Sequence, residues 1–576
     1  MLWTEAVLVL CSLFVALVSP DLGSNWFGRM ERHFSRLSRH RVLCIVSIGA
    51  LALALRAALL PIEPIPQPTI PDEFSYLLMS DTFAHGRLTN PTHPMSIHFK
   101  ASGVNQEPTY ISKYFPGHGV LLALGQLALG HPFWGVWFGM GIMAAAICWM
   151  LQGWFPPLWA LLGALLAVIR LGTFSYWANS YFGGTIAAIG GALVLGALPR
   201  IKRRERVFDG LLFGLGLALL ASSRPFEGLI FSLPIVTTIL VWTWKRYRSG
   251  FSGTVSRVLL PSALVLAACF SAMLYYFWQA TGSPFRTPYQ VNLHTQDPVP
   301  IFPWQPLSAL SETDVRTVFV NGEIDQYQFV RSHFVISSIS RIIQFYLFFL
   351  GPALSLPFLL AAFTVRRHLA NVKILLVVLL VSAFGLLLPV YYGPSYAAAL
   401  SCVVYALLIV AMQRLRKWSW RGKYSGLVIV RSVPIICLLM FVIRVVVPLP
   451  GISTPPMVPL TWSSPHLFEN LNRGPIESVI QSKPGLHIAL VRYPHDQQAP
   501  VDWVENLADI DQQRVIWAND LGEQLNQELI QYYKNRQVWL VEPDKSPAQI
   551  MPYPGDKKTI DDVPRISGTG YEGLKP

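Results

Sequence analysis

The chain has 576 residues, of which 52% are hydrophobic and only 13% are charged. That balance excludes a large soluble enzyme and marks a polytopic membrane protein. The formal charge of +13 does not mark a nucleic-acid binder, because the basic residues stand in short clusters between apolar spans.

Hydropathy predicts spans at about 3–19, 42–60, 133–152, 156–172, 184–198, 208–222, 229–244, 258–279, 341–363, 374–391, 396–412 and 432–448. Every second loop is basic: Arg29 to Arg41, Arg200 to Arg206, Lys245 to Arg257, Arg366 to Lys373 and Arg414 to Arg431. Basic loops stay cytoplasmic, so about twelve spans place loops 61–132 and 280–340 and the C-terminal tail on the outer face. Ala6 to Val18 lacks a basic flank and a small-residue cleavage site, so it reads as a retained span and not a signal peptide. All six cysteines fall inside apolar spans, which excludes an exported disulfide or a CxxC metal site. The sole Asn-x-Thr, at Asn90, is interrupted by proline, which favours a bacterial membrane.

The first outer loop opens with Pro61, Pro64, Pro66, Pro68 and Pro71, which carry the chain stiffly off the membrane. Asp72 and Glu73 follow at once. Phe74, Leu77, Leu78 and Phe83 then recur at helical spacing, so the two acids occupy a helix N-terminus, where carboxylates are favoured. Asp72 is therefore either a helix cap or a reactive base. Pro116 to Leu129 is apolar, short and glycine-interrupted, as expected of a segment lying along the membrane surface. The loop 280–340 is rich in proline and aromatics (Pro284, Phe285, Tyr289, Phe302, Trp304), as expected of a structured, substrate-facing lid. After Pro450 the composition becomes that of a soluble domain. Strands are predicted at His487 to Tyr493, Arg514 to Ala518 and Gln537 to Val541, with a helix over Leu521 to Tyr533. That is a small α/β module without a phosphate loop or metal-ligand spacing, expected to be dispensable for chemistry but not for acceptor choice. The expected division is 1–41, an N-terminal span and basic loop; 42–449, a transmembrane catalytic domain; and 450–576, an extracytoplasmic α/β domain.

Three outer stretches hold ionisable groups close to the membrane, where they are costly unless they have a function. They are Asp72-Glu73 with Asp81, the run Ser112-Lys113-Tyr114-Phe115-Pro116, and the turn Ser223-Arg224-Pro225-Phe226-Glu227. Carboxylates beside isolated cations suit a base that deprotonates an acceptor hydroxyl while cations hold an anionic leaving group. In a membrane such a leaving group is a polyprenyl phosphate. Each residue also has a plainer reading: Lys113 snorkelling at the interface, Arg224 tied to Glu227, and the loop histidines His85, His93, His98 and His118 simply polar. Asn179 to Gly184 reads as glycine-mediated helix packing.

An opening span followed by Pro71-Asp72-Glu73-Phe74-Ser75-Tyr76, then Asp81 to Leu88, resembles the GT-C glycosyltransferase superfamily. Its members include protein O-mannosyltransferases and the aminoarabinose transferase that modifies lipid A; the likeness runs closest to a poorly characterised bacterial branch. The resemblance implies an all-α, GT-C-like bundle with a small periplasmic α/β domain. It also implies inverting transfer of a hexose or pentose from a polyprenyl-phosphate donor to a glycan, lipid or protein acceptor, at the outer face of the bacterial plasma membrane. Asp72 matches the expected base, with Glu73 beside it. Lys113 is similar to the lysine that contacts the donor phosphate, and Arg224 is its expected companion. Asp81, Glu107, Glu227 and Tyr114 are accessory candidates. The acid expected just before the lysine is Ser112 here, with Glu107 as its stand-in. The resemblance leaves a divalent metal open. A transporter or flippase is the alternative; it would place charges at the bundle midplane, whereas Glu5, Arg56 and Arg170 lie towards span ends.

Overall fold

The computed structural model describes residues 2–19, 21, 23–248, 253–308, 317–364, 372–446, 473–493, 502–545 and 548–554. Most of the expected basic loop 366–373 and the boundary at 449–450 lie outside these residues. In chain order, α1 (Leu2–Val18), α2 (Ser24–Ser38) and α3 (Arg41–Ala58) precede the first long loop. That loop contains α4 (Pro71–Ala84), a hairpin of β1 (Val104–Asn105) and β2 (Ile111–Ser112), and α5 (Pro116–Leu129). Next come α6 (Phe133–Trp154), α7 (Pro157–Leu171), α8 (Thr185–Arg204), α9 (Val207–Ser223), α10 (Pro225–Arg248) and α11 (Leu260–Thr281). The second long loop carries α12 (Pro288–Thr295) and α13 (Thr317–Ser332). Helices α14 (Phe334–Phe349), α15 (Gly351–Thr364), α16 (Lys373–Leu386), α17 (Ser401–Leu415) and α18 (Ser425–Val446) complete the apolar set. The C-terminal module adds α19 (Arg473–Ser482), β3 (Leu486–Val491), β4 (Val515–Asn519), α20 (Glu523–Tyr532), β5 (Arg536–Glu542) and β6 (Gln549–Pro552).

Among the described residues, seven helices are long and apolar enough to cross a membrane: α3, α6, α8, α10, α11 and α17 with their preceding turns, and α18. The protein is an integral membrane protein, all-α in its spanning part, with a small C-terminal sheet domain. Four expected spans (α1, α7, α9, α16) are helices of 14 to 17 residues. The ninth, expected as one span over 341–363, is instead the pair α14 and α15, bent by 103°. Gly351 at the bend has φ +62°, a conformation that a side chain disfavours. A break in a membrane helix frees backbone groups that need new partners. Arg170 supplies them on one side, donating to the carbonyls of Phe348 (3.0 Å) and Leu347. Glu5 supplies the other, accepting from the amide of Ala353 at 2.9 Å.

The chain divides into two compact units: residues 1–66, 133–272 and 335–465, and residues 67–132, 273–334 and 466–576. The first unit holds most of the apolar helices. Its basic segments close on themselves: Glu31 of α2 pairs with Arg431 at 2.8 Å and Arg416 at 3.4 Å, and Arg200 donates to Trp149 O at 2.6 Å. Arg56, buried near the end of α3, donates to the carbonyls of Glu63 (2.9 Å), Pro64 (3.3 Å) and Ala178 (3.3 Å). It thereby fixes the start of the proline-rich stretch.

The second unit joins both long loops to the C-terminal module. Its sheet has the order β4-β3-β5-β6, with β3 parallel to β4 and β5, and β6 antiparallel to β5. Parallel strands are covered on both faces. One face packs Ala489, Val491, Trp517 and Trp539 against Ile476 and Ile480 of α19. The other packs Ile488, Leu490, Ile516, Val538 and Leu540 into a core with Leu78 of α4 and with Phe99, Ala101, Val104 and Tyr110 of the first loop. The module is therefore half of a core shared with the first loop.

Candidate active site

Helix α4 starts where Ile70 (φ −128°, ψ 153°) is extended and Pro71 occupies the first helical position, which proline suits. The N-cap is thus Ile70, without a side-chain cap, and Asp72 is the second helical residue. The alternative in which Asp72 caps the helix does not form. Glu73 does the capping instead: it is 1% exposed, and its Oε2 accepts from Thr69 N (2.9 Å) and Thr69 Oγ1 (3.2 Å). Among the described residues the partly exposed Asp72 carboxylate has neither a hydrogen bond nor an ion pair. The acid pair is therefore divided into one holding residue and one unengaged carboxylate.

Ser75 and Tyr76 share the face of α4 that bears Asp72, one turn on. Ser75 Oγ donates to Gly103 O at 2.7 Å and lies 2.7 Å from Ser112 Oγ. Tyr76 stacks on Tyr114 (centroids 4.5 Å, 18°) and meets His118 edge-on at 4.9 Å. Between these contacts runs Lys113, whose amide donates to Gly103 O at 2.9 Å. Gly103 has φ +73°, and a Cβ there would be 3.5 Å from Ser75 and 3.6 Å from Lys113 Cε, so the lysine stem passes beside Ser75. The structure thus packs Lys113 and Tyr114 against α4 at Ser75 and Tyr76, one turn beyond Asp72.

The Lys113 ammonium does not snorkel. Its side chain is 12% exposed, with Nζ 3.8 Å from Asp297 Oδ2 and above the rings of Tyr289 (5.6 Å) and Tyr114 (5.7 Å). Asp297 is buried and braced by Val299 N at 3.0 Å. The sequence reading missed it. The available signal was that Asp297 is the sole acid between Ala280 and Leu310. Glu107 does not take the place of the acid expected before the lysine. It is exposed in the hairpin turn, while Lys113 leaves the opposite end, where Val104 pairs with Ser112. The carboxylate beside the lysine comes from the other loop.

Asp81 is a tie: Oδ1 accepts from Gln126 Nε2 and Oδ2 from Ala508 N, both at 3.0 Å. The loop histidines are also engaged. His85 Nδ1 is 2.8 Å from Asp81 O, His98 Nδ1 is 3.1 Å from Asn519 O, and His93 joins Asp511 (3.0 Å) and Tyr533 (3.1 Å). Burial pushes Asp511 up, but hydrogen bonds from Tyr533 and His93 outweigh it and hold the carboxylate below its ordinary value. Burial, with the nearby Glu505 and Asp81 carboxylates, raises the Tyr110 phenol, which donates to Asn506 O at 2.8 Å. Among the described residues no three His, Cys, Asp or Glu side chains converge as metal ligands.

Arg224 and Glu227 belong to the first unit. The Arg224 guanidinium lies over Tyr396 (4.2 Å) and Phe182 (5.6 Å), and its Nη2 is 3.5 Å from Ser395 Oγ. Glu227 lines a small pocket with Phe231, Tyr396 and Leu400.

No family model and no curated protein matches the chain. Among solved structures it is similar to ArnT from Cupriavidus metallidurans bound to undecaprenyl phosphate (TM-score 0.46, 11% identity, 87% of this chain and 92% of that one). The apo form of that protein gives 0.45 and 12% over the same shares. The Archaeoglobus fulgidus oligosaccharyltransferase AglB, in complex with an inhibitory peptide and a dolichol-phosphate, gives 0.42 and 13% over 86% of this chain and 69% of that one.

Proposed function

We propose that the protein is a membrane glycosyltransferase that moves a sugar from a polyprenyl-phosphate donor to an acceptor hydroxyl at the outer face of a bacterial plasma membrane. The observation that carries this reading is the unengaged Asp72 carboxylate on a helix face shared with a confined, charge-paired Lys113. A structural carboxylate is bonded, as Glu73 and Asp81 are. A carboxylate left open beside a cation in a membrane protein suits proton transfer.

In the proposed step Asp72 takes the proton of the acceptor hydroxyl, and that oxygen attacks the anomeric carbon. The bond from this carbon to the phosphate oxygen breaks, and its electron pair leaves with the lipid phosphate. Attack from the side opposite the phosphate inverts the centre. Lys113 meets the charge that grows on the departing phosphate, exchanging its contact with Asp297 for one with the donor. Arg224 is proposed as a second cation for that phosphate on its chemistry alone. The partly exposed Tyr114 and Tyr289, on which the Lys113 ammonium lies, supply faces on which a sugar ring can rest once that ammonium moves to the donor.

The test is release of polyprenyl phosphate from a radiolabelled lipid-phosphate sugar by folded, detergent-solubilised protein, with and without membrane extract as acceptor. The proposal expects acceptor-dependent release. No release from any of several hexosyl and pentosyl donors would overturn it.

A further inference from the structure

Within the second unit, the carboxylate that faces Lys113 is fixed in place. Asn105 of β1 donates from Nδ2 to Pro288 O at 2.8 Å and accepts from Asn292 Nδ2 at 3.1 Å. Helix α12 is thereby tied to the hairpin whose other strand leads into Lys113. Just beyond α12, Asp297 N donates to Asn292 O at 3.1 Å and Asp297 Oδ1 accepts from Val299 N at 3.0 Å. Both charged side chains are largely buried, 7% exposed for Asp297 and 12% for Lys113. Their separation of 3.8 Å exceeds a hydrogen bond, so the carboxylate stands near the ammonium without closing on it. The ammonium can turn towards a second anion, whereas the carboxylate, on a braced turn, stays.

We infer that Asp297 serves product release: it weakens the hold of Lys113 on the phosphomonoester that transfer leaves more than its hold on the phosphodiester donor. This rests on the reading that Lys113 meets the donor phosphate. A lipid-phosphate sugar is a phosphodiester with one negative charge. When the bond to the anomeric carbon breaks and its electron pair stays with the lipid phosphate, a monoester results, with about −1.5 to −2 charge near pH 7. A lone ammonium would hold that product more tightly than the donor. The fixed carboxylate beside it opposes this, because repulsion grows with the charge of the guest and is little screened between buried groups. Asp297 acts through the site's balance of charge and touches no reacting atom, so it is a positioning residue.

The test is equilibrium binding of two lipids to full-length, detergent-solubilised protein: a polyprenyl phosphate and its methyl ester, a phosphodiester without a sugar. Asp297→Asn keeps an oxygen for Val299 N and removes the charge. It should tighten the monoester about tenfold, as for one close charge pair, and the methyl ester about threefold, half the effect on a logarithmic scale. Asp297→Ser, whose hydroxyl can also accept from Val299 N, should do the same and serves if Asp297→Asn fails to fold. Asp297→Glu keeps the charge and should tighten neither lipid. A purely structural ion pair predicts the reverse, since loss of its carboxylate would loosen Lys113 and weaken both lipids alike. If the parent binds both lipids and Lys113→Gln does not, a monoester bound no tighter by the charge-removing variants, or an equal change for both lipids, would overturn the inference alone. A parent that binds neither lipid, or no better than Lys113→Gln does, would overturn it together with the placement of phosphate at Lys113.

Discussion

Arg473 connects the C-terminal module to the helix that carries Asp72, and replacing it with methionine should loosen both. Its side chain is buried between the rings of Phe74 and Trp517, each 4.5 Å from the guanidinium carbon. It donates to the carbonyls of Trp503 and Glu505, both at 3.2 Å, and to Glu477 at 3.1 Å. Methionine leaves two buried carbonyls without that donor, at about 1–3 kcal/mol each. Two cation–π contacts add about 1 kcal/mol or more together. The partly exposed Glu477 pair adds little. Packing of the new thioether restores about 1–2 kcal/mol, for a net loss of about 3 kcal/mol. Hydrogen exchange in the solubilised protein reads this directly: amides of β3, β4 and the first turns of α4 should exchange about 100-fold faster. Faster exchange in the strands with α4 unchanged would refute the claim that loop and module are one cooperative core.

Three further outcomes are expected. Burial holds His98 and His487 below the ordinary 6.5, so both are neutral in the fold while the unfolded chain takes up protons. Stability of the second unit should then be complete above about pH 6.5 and fall on acidification towards pH 5, and His98→Gln with His487→Gln should flatten that slope in thermal melts. Removal of residues 473–576 uncovers the face of Leu78, Phe99 and Tyr110, so the truncated protein should lose transfer activity and become protease-sensitive within 67–132; a truncated protein with normal turnover would contradict the shared core. Lys113→Gln should lower kcat/KM for the donor about 10²-fold, as for loss of one preorganised donor to a developing anion, and Lys113→Arg should not restore it, because the stem is confined beside Gly103 and between Tyr114 and Tyr289. A loss below threefold would remove Lys113 from the site.

Local chemistry made much of the fold legible. The helices follow the apolar runs to within a few residues, and β3, β4 and β5 coincide with the strands predicted from their β-branched and aromatic content. The short β6 and α19 were not read, since neither carries a strong period. The bend at Gly351 was hidden because a hydropathy window sums over it. The division of labour between Asp72 and Glu73 was also hidden. A capping box pairs Ser or Thr at the N-cap with Glu three residues on, whereas here Thr69 and Glu73 are four apart and the cap is Ile70. Asp297 and the shared core depend on contacts between segments hundreds of residues apart, such as Asp81 with Ala508 and Arg87 with Asp509. No periodicity within one segment reports such a pairing.

The most direct measurement is the turnover of Asp72→Asn with a radiolabelled polyprenyl-phosphate sugar, set against Glu73→Gln in the same assay. Asparagine keeps the size and polarity of the side chain and cannot accept the proton. Because Asp72 caps nothing, the variant should fold and melt as the parent does. Its kcat should fall about 10²- to 10⁴-fold with donor binding kept, while Glu73→Gln, still able to accept from Thr69, should retain most activity. Near-normal turnover of Asp72→Asn would contradict the account.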